Sequence, residues 1–494
     1  IHGNDLNLAE APNKLKIIEA QCGHYNMFTL SENGIMFFSG YNGYGISGNG
    51  STSTISRPIP IGFYDTDRTT KLTGANYPKI KMFHWTGTRS DNTSGYTSCA
   101  AVDTDGFVYT WGYNGYGQLL TGNTTSNYYA SRLPKTMFGG RSVVYVTSSS
   151  TRYTSYYAIT DDGRCWSWGQ NDYGQLGRGN VTDETTTPVE MTAQSGSGLL
   201  NKKVLHIMSS EGNSNVVRTW FLTTEGKVYF CGQNETYGAY SGLISNSSSV
   251  NITLPAELTD AATTINSDGQ KVVAMYTGGG RYSTNYYITD GGNSGETASK
   301  VYANGLNTNG EMGTGSNTSH GSASGNWRLK EIEFDSGPEI MTIAHNSTQV
   351  TGTKSTFASG GSNQNRMKIG RIVKVMQHGH GSNTTFPVMA LDEFGQAYAC
   401  GEWSTKSPIS YYNNDDPIDF QSSNAYSTRF VKMTGQPEPF IDLIFMNRTT
   451  EGEVGYAGIS ASGKIYQGGY AGWGLLGNRS TYSTDHFVTP IGLD

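Results

Sequence analysis

Short apolar runs bounded by turn residues recur along the whole chain: Met27-Phe28-Thr29-Leu30, Cys99-Ala100-Ala101-Val102, Tyr157-Ala158-Ile159 and Val388-Met389-Ala390-Leu391. Runs of this length between polar clusters predict strands. Each is followed by a tight turn and a second strand that ends on Gly. Six copies carry a turn glycine at one fixed distance before that strand end: Gly34, Gly106, Gly163, Gly226, Gly395 and Gly463. Only glycine takes the positive φ of such a hairpin without strain, so the pattern predicts antiparallel pairs.

The strand ends repeat as strings. Phe37-Phe38-Ser39-Gly40-Tyr41-Asn42-Gly43-Tyr44-Gly45, Tyr109-Thr110-Trp111-Gly112-Tyr113-Asn114-Gly115-Tyr116-Gly117-Gln118-Leu119 and Trp166-Ser167-Trp168-Gly169-Gln170-Asn171-Asp172-Tyr173-Gly174-Gln175-Leu176-Gly177 are copies of one another. Weaker copies end at Gly232, Gly305, Gly401 and Gly469, which makes seven with Gly40, Gly112 and Gly169. After each comes a loop and an apolar or proline-marked segment such as Leu133-Pro134 or Thr187-Pro188-Val189. A unit thus supplies three or four strands and no helix. A sheet with two apolar faces must stack on its neighbours, and closing the array protects its edges. The expected fold is all-β: one closed seven-bladed β-propeller over residues 1–494, of mostly four-stranded antiparallel blades, with its two ends together. Its main insertion is 335–370, and shorter ones fall at 87–96, 242–251 and 403–426.

The string Trp-Gly-x-Asn-x-x-Gly-Gln-Leu-Gly, nearly intact from Trp168 to Gly177 and slightly altered from Trp111 to Leu120, resembles the repeat of the regulator of chromosome condensation family. The similarity covers almost the whole chain. It implies the propeller, but its members include a nuclear exchange factor for a small GTPase, ubiquitin-ligase accessory domains, a plant light receptor and proteins of structural role. Function must therefore come from the site.

Composition narrows the field. Glycine is 64 of 494 residues, charged residues are 15%, and the formal net charge of −6 is spread without a basic stripe. That excludes a phosphate-backbone binder of the usual kind, and no nucleic-acid partner is expected. Cys22, Cys99, Cys165, Cys231 and Cys400 are widely spaced and read as buried strand residues. No apolar run is long enough to span a bilayer, so no membrane insertion is expected, and the Ile1-His2-Gly3 start points to a processed chain or part of a longer one.

Catalytic signals are absent. The stretches Gly43–Gly48 and Gly472–Gly477 match a dinucleotide fingerprint by letter but open no helix. His378 and His380 lack further ligands, and Asn413-Asn414-Asp415-Asp416 lacks the alternation of a calcium loop. No metal, cofactor or enzymatic activity is expected. The 32 tyrosines, set among Ser, Gly and Asn, are the chemistry of adaptable binding surfaces. Candidate binding residues are Tyr44, Tyr116, Tyr173, Tyr237, Tyr470 and Trp473 in the repeat loops, with Asn346, Thr351, Asn363 and Asn365 in the main insertion. The alternative is that the loop aromatics only pack against the next blade. The first functional reading is a structural or adhesion propeller of a virion or cell surface: a tail-fibre, receptor-binding or capsid-decoration protein. Its partners would be other virion or surface proteins or a host glycan or receptor, with self-association open. The alternatives are an exchange or chromatin-binding propeller, and a lectin-like or carbohydrate-active domain.

Overall fold

The computed structural model describes residues 16–22, 26–86, 97–149, 154–209, 217–234, 250–258, 265, 269–278, 284–294, 299–305, 307, 310–315, 329–335, 370–377, 387–403, 412–413, 416–417, 425–433, 436–446, 455–469 and 484–488. It is an all-β propeller of seven blades, each a four-stranded antiparallel meander, and among the described residues the only helices are short 3-10 turns. The chain divides into two compact units, Ile1–Asn234 with Ser249–Leu258, and Glu235–Ser248 with Thr259–Asp494.

The first unit holds blades 1 to 4. Blade 1 runs Ile17–Cys22, Asn26–Ser31, Met36–Gly40 and Ile55–Pro60; blade 2 runs Ile80–Thr86, Ser98–Asp103, Val108–Gly112 and Asn127–Arg132. Blade 3 follows with Val143–Ser148, Ser155–Thr160, Cys165–Gly169 and Glu184–Glu190, and blade 4 with Val204–Ser209, Arg218–Thr223, Val228–Asn234 and Val250–Glu257. The second unit holds blades 5 to 7, whose first strands are Val272–Thr277, Ile372–Gln377 and Phe440–Met446.

In blades 2 and 3 the second and third strands are buried on both faces because a neighbouring blade covers each. In blade 2, Ala101, Tyr109 and Trp111 join Phe28, Phe38 and Phe83 in the core shared with blade 1, while Ala100, Val102 and Val108 join Tyr156, Ala158 and Trp168 in the core shared with blade 3. Alternation along a strand thus sends successive side chains into different cores, which is why these strands read as continuous apolar runs.

The turn glycines do more than turn. Gly106 has φ 83°, and its carbonyl accepts the Val143 N–H of the next blade at 3.0 Å. The same bond links Gly34 to Ile80, Gly163 to Val204 and Gly395 to Phe440. Blade 5, the copy without a turn glycine at the expected place, turns through Asp290, Gly291 and a 3-10 turn at Gly292–Ser294. One element was not foreseen: the connector leaving blade 1 lays Phe63–Tyr64 in parallel against the outer strand of blade 2, and Phe334–Asp335 does the same to the outer strand Ala425–Lys432 of blade 6. Cys99, Cys165, Cys231 and Cys400 are buried free thiols, and burial raises the pKa of each. The expectations of closure and of adjacent chain ends fall on residues 1–15 and 489–494, outside the described residues.

Candidate functional site

Each blade has two ends. At the turn end lie the hairpins between second and third strands and the connectors to the next blade; at the loop end lie the loops joining first to second and third to fourth strands.

The third-to-fourth loops are built on one asparagine. Asn114 Nδ2 donates to the carbonyls of Asn123 and Thr125 at 2.8 and 3.1 Å, and its Oδ1 accepts the Leu119 N–H at 2.8 Å. Asn171 repeats this with Asn180, Thr182 and Leu176, and Asn42 with Ser51, Ser53 and Ser47. In blade 5, Asn307 accepts the Met312 N–H at 2.8 Å. A buried side-chain amide that satisfies two carbonyls and an N–H holds the loop in one conformation. The glutamine of the repeat contributes as well: Gln118 and Gln175 accept the N–H groups of Tyr116 and Tyr173, each at 2.9 Å.

These loops also lock consecutive blades together. In blades 2, 3, 4 and 6 the residue before the strand-end glycine donates to a carbonyl in the preceding blade's loop. Trp111 Nε1 reaches Ile46 at 2.7 Å, Trp168 Nε1 reaches Gln118 at 2.9 Å, Cys231 Sγ reaches Gln175 at 3.1 Å and Cys400 Sγ reaches Glu311 at 3.5 Å. The four acceptors hold equivalent loop positions. Tryptophan and cysteine look unrelated in sequence, yet both bring a donor to the same place.

Of the predicted binding residues, Tyr44, Tyr116 and Tyr173 occupy equivalent, half-buried positions on the clamped loops. Tyr44 meets Tyr113 of the next blade edge-on at 5.4 Å, and Tyr113 meets Tyr116 at 6.2 Å. Tyr41 is exposed beside them and covers Gly43, where a Cβ would strike its hydroxyl. Tyr44 and Tyr113 thus pack between blades 1 and 2, with Tyr41 exposed beside them. Tyr237, Tyr470, Trp473, Asn346, Thr351, Asn363 and Asn365 lie outside the described residues, as do His378 and His380.

The insertions interrupt different kinds of connection within their blades. Those at 87–96, 242–251 and 403–426 begin at the loop end, whereas the main insertion begins at the turn end: Asp335 closes a strand on blade 6, and the Gly370 N–H donates to Asp392 beside the hairpin turn at 3.1 Å.

Two features escaped the sequence reading. Arg218 is fully buried at the start of its strand, opposite Gly232, where blades 1, 2, 3 and 5 place Asn26, Ser98, Ser155 and Thr284, and its Nε donates to the Gln233 carbonyl at 3.2 Å. The first strands form a common inner wall in each unit: Gln21 donates to the Phe83 carbonyl and Tyr145 to that of Ile207, both at 3.3 Å, and Tyr276 to that of Val373 at 2.9 Å. On this wall His84 Nδ1 lies 2.7 Å from Ser148 Oγ, and burial pulls its pKa down to about 4, so the ring is neutral at physiological pH. Among the described residues no His, Cys, Asp and Glu cluster suits a metal.

Residues 105–151 and 162–214 match the regulator of chromosome condensation (RCC1) repeat. The matched stretches begin in blades 2 and 3. Each match runs from a blade's hairpin turn into the first strand of the next blade, so the matched stretch straddles two blades. The chain is 24% identical to the ultraviolet-B receptor UVR8 of Arabidopsis thaliana over 363 residues, 72% of this chain and 68% of the receptor. It is 30% identical to the human E3 ubiquitin-protein ligase HERC2 over 178 residues, 36% of this chain and 3% of the ligase. Among solved structures, human WBSCR16 superposes with a TM-score of 0.52 at 16% identity, covering 87% of this chain and 85% of that one. Prp20p of Saccharomyces cerevisiae gives 0.50 at 15% identity, covering 93% and 86%. At such identities the likeness speaks for the RCC1-type fold. Neither these structures nor these relatives are virion components, so the virion and tail-fibre reading gains no support from them.

Proposed function

We propose that this chain is a non-enzymatic, protein-binding propeller whose partner sits on the loop end of the blades. The observation that carries this is the clamped aromatic row: Tyr44, Tyr113 and Tyr116 stand on loops already fixed by Asn42 and Asn114, beside exposed Tyr41. Tyrosines held in place before binding lose little entropy on contact and bury large area, which suits protein recognition. The scattered charge speaks against a nucleic-acid ligand.

A second reading comes from Prp20p, whose structure was described with its binding to Gsp1p and histones. By that analogy the partner is a small GTPase or a histone, and an exchange activity follows. With benzoylphenylalanine in place of Tyr41, photo-crosslinking in native cells should give protein adducts that disappear in Tyr113→Ala/Tyr116→Ala. Adducts with glycan or nucleic acid alone, or adducts indifferent to the two tyrosines, would overturn the proposal. Faster nucleotide release from a small GTPase would establish the second reading.

A further inference from the structure

At the opposite end of the blades, every first strand departs from regular pairing at the same place. Ile17 pairs with Ser31 and Glu19 with Leu30, so Ile18 is an extra residue; Lys81, Val144 and Leu205 are the extra residues of blades 2 to 4. In the second unit they are Val273, Val373 and Ile441. These strands are sheet edges. Proteins guard such edges with bulges and charged residues, as Lys81 does here. The other six blades bulge but place an aliphatic side chain on the bulge, and those six are 40% to 64% exposed. Isolated exposed aliphatics are ordinary. Six at one register position, on strands that lie side by side within each unit, form a built surface.

We propose that the turn end of the inner wall in the first unit is a second binding site, formed by Ile18, Lys81, Val144 and Leu205, for an extended protein segment carrying aliphatic side chains among carboxylates. Charge selects the acidic segment. Lys16, Lys79 and Lys203 immediately precede the first strands of blades 1, 2 and 4. Most acids at this end are already engaged: Glu32 by Lys16 at 3.5 Å, Asp162 by Arg141 and Arg164 at 3.2 and 3.0 Å, and Glu225 by Lys202 at 2.8 Å. Lys79, Lys81 and Lys203 form no ion pair among the described residues, Lys81 Nζ donates to the Val143 carbonyl at 3.1 Å, and against them stand Asp103, which faces Lys81, and Asp105 and Asp161 at the hairpin turns. The connectors that reach this end within the unit, residues 61–79, 133–142 and 191–203, are all described and leave Ile18, Val144 and Leu205 at 56%, 43% and 58% exposure.

The test is fluorescence anisotropy of the full chain with a short fluorescein-labelled peptide of alternating Glu and Leu, and with its Lys-Leu counterpart. The Glu-Leu peptide should bind and the Lys-Leu peptide should not. Ile18→Asn/Val144→Asn/Leu205→Asn should weaken binding on the order of tenfold or more, with an unchanged melting temperature, because its targets are solvent-exposed. Should that variant not fold, Lys81→Glu alone should weaken the Glu-Leu peptide and admit the Lys-Leu one. Tyr113→Ala/Tyr116→Ala should leave this binding unchanged, which separates it from the loop-end site. The proposal is overturned if the native chain ignores the Glu-Leu peptide, if Lys-Leu binds equally, or if the variants bind like the native chain. It is equally overturned if binding appears only after residues 1–15 are removed. The run Asp5-Leu6-Asn7-Leu8-Ala9-Glu10 has the same chemistry, and that result would assign the site to the chain's own leading segment.

Discussion

The asparagine of the repeat shows how far one side chain carries the architecture. Asn114 is fully buried and joins the ends of its loop through its own amide, without help from the backbone ladder. Alanine there removes these bonds and leaves two carbonyls and an N–H without partners in an enclosed site. The penalty is the desolvation of each group rather than the modest net worth of a hydrogen bond. Asn114→Ala should therefore lose about 3 kcal/mol in urea unfolding. Asn123→Ala, at an exposed position that caps Thr125, should lose under ~1 kcal/mol. Equal losses would mean that the loop is held by something other than the clamp. The sequence displays this asparagine in every strong copy, but it does not display the carbonyl partners, which stand nine to eleven residues further along the chain.

At the scale of the element, the hairpins were legible because glycine marks them and the apolar runs flank them. The reason for each glycine was only half legible. A positive φ is required at both Gly106 and Gly463, with φ 83° and 82°. At Gly106, however, a Cβ would lie 2.4 Å from the Ser142 Cβ and 2.8 Å from its Cα, whereas at Gly463 nothing lies within 4 Å. Gly463→Ala should thus lose only the backbone strain, about 1 kcal/mol, and Gly106→Ala should lose at least twice that by forcing blades 2 and 3 apart. Thermal midpoints of the two variants decide it, and equal shifts would show that φ alone sets the requirement. The bulges on the first strands were not legible at all. An extra residue in a strand leaves no mark on composition or alternation until the partner strand is in view. For the same reason the lysines before those strands, scattered along the sequence, read as unrelated charges.

On the scale of the molecule, the number of blades follows from counting strand ends, while the distribution of loops between the two ends of a blade does not. The order first, second, third, fourth strand sends alternate connections to opposite ends, so an insertion's place is decided by which connection it interrupts. By that rule the main insertion, entering after Asp335 and leaving before Gly370, interrupts a connection at the turn end of blade 6. Removing it should begin after Asp335, which pairs with Val431, and stop before Gly370, whose N–H is held by Asp392. Replacing 336–369 by a Gly/Ser linker of about ten residues changes the loop-closure entropy by only ~1 kcal/mol, because that entropy varies with the logarithm of length. The melting temperature should stay within a few degrees of the native chain's, and crosslinking from position 41 should continue. A folded deletion variant that no longer crosslinks would place the partner on the main insertion instead of the loop end.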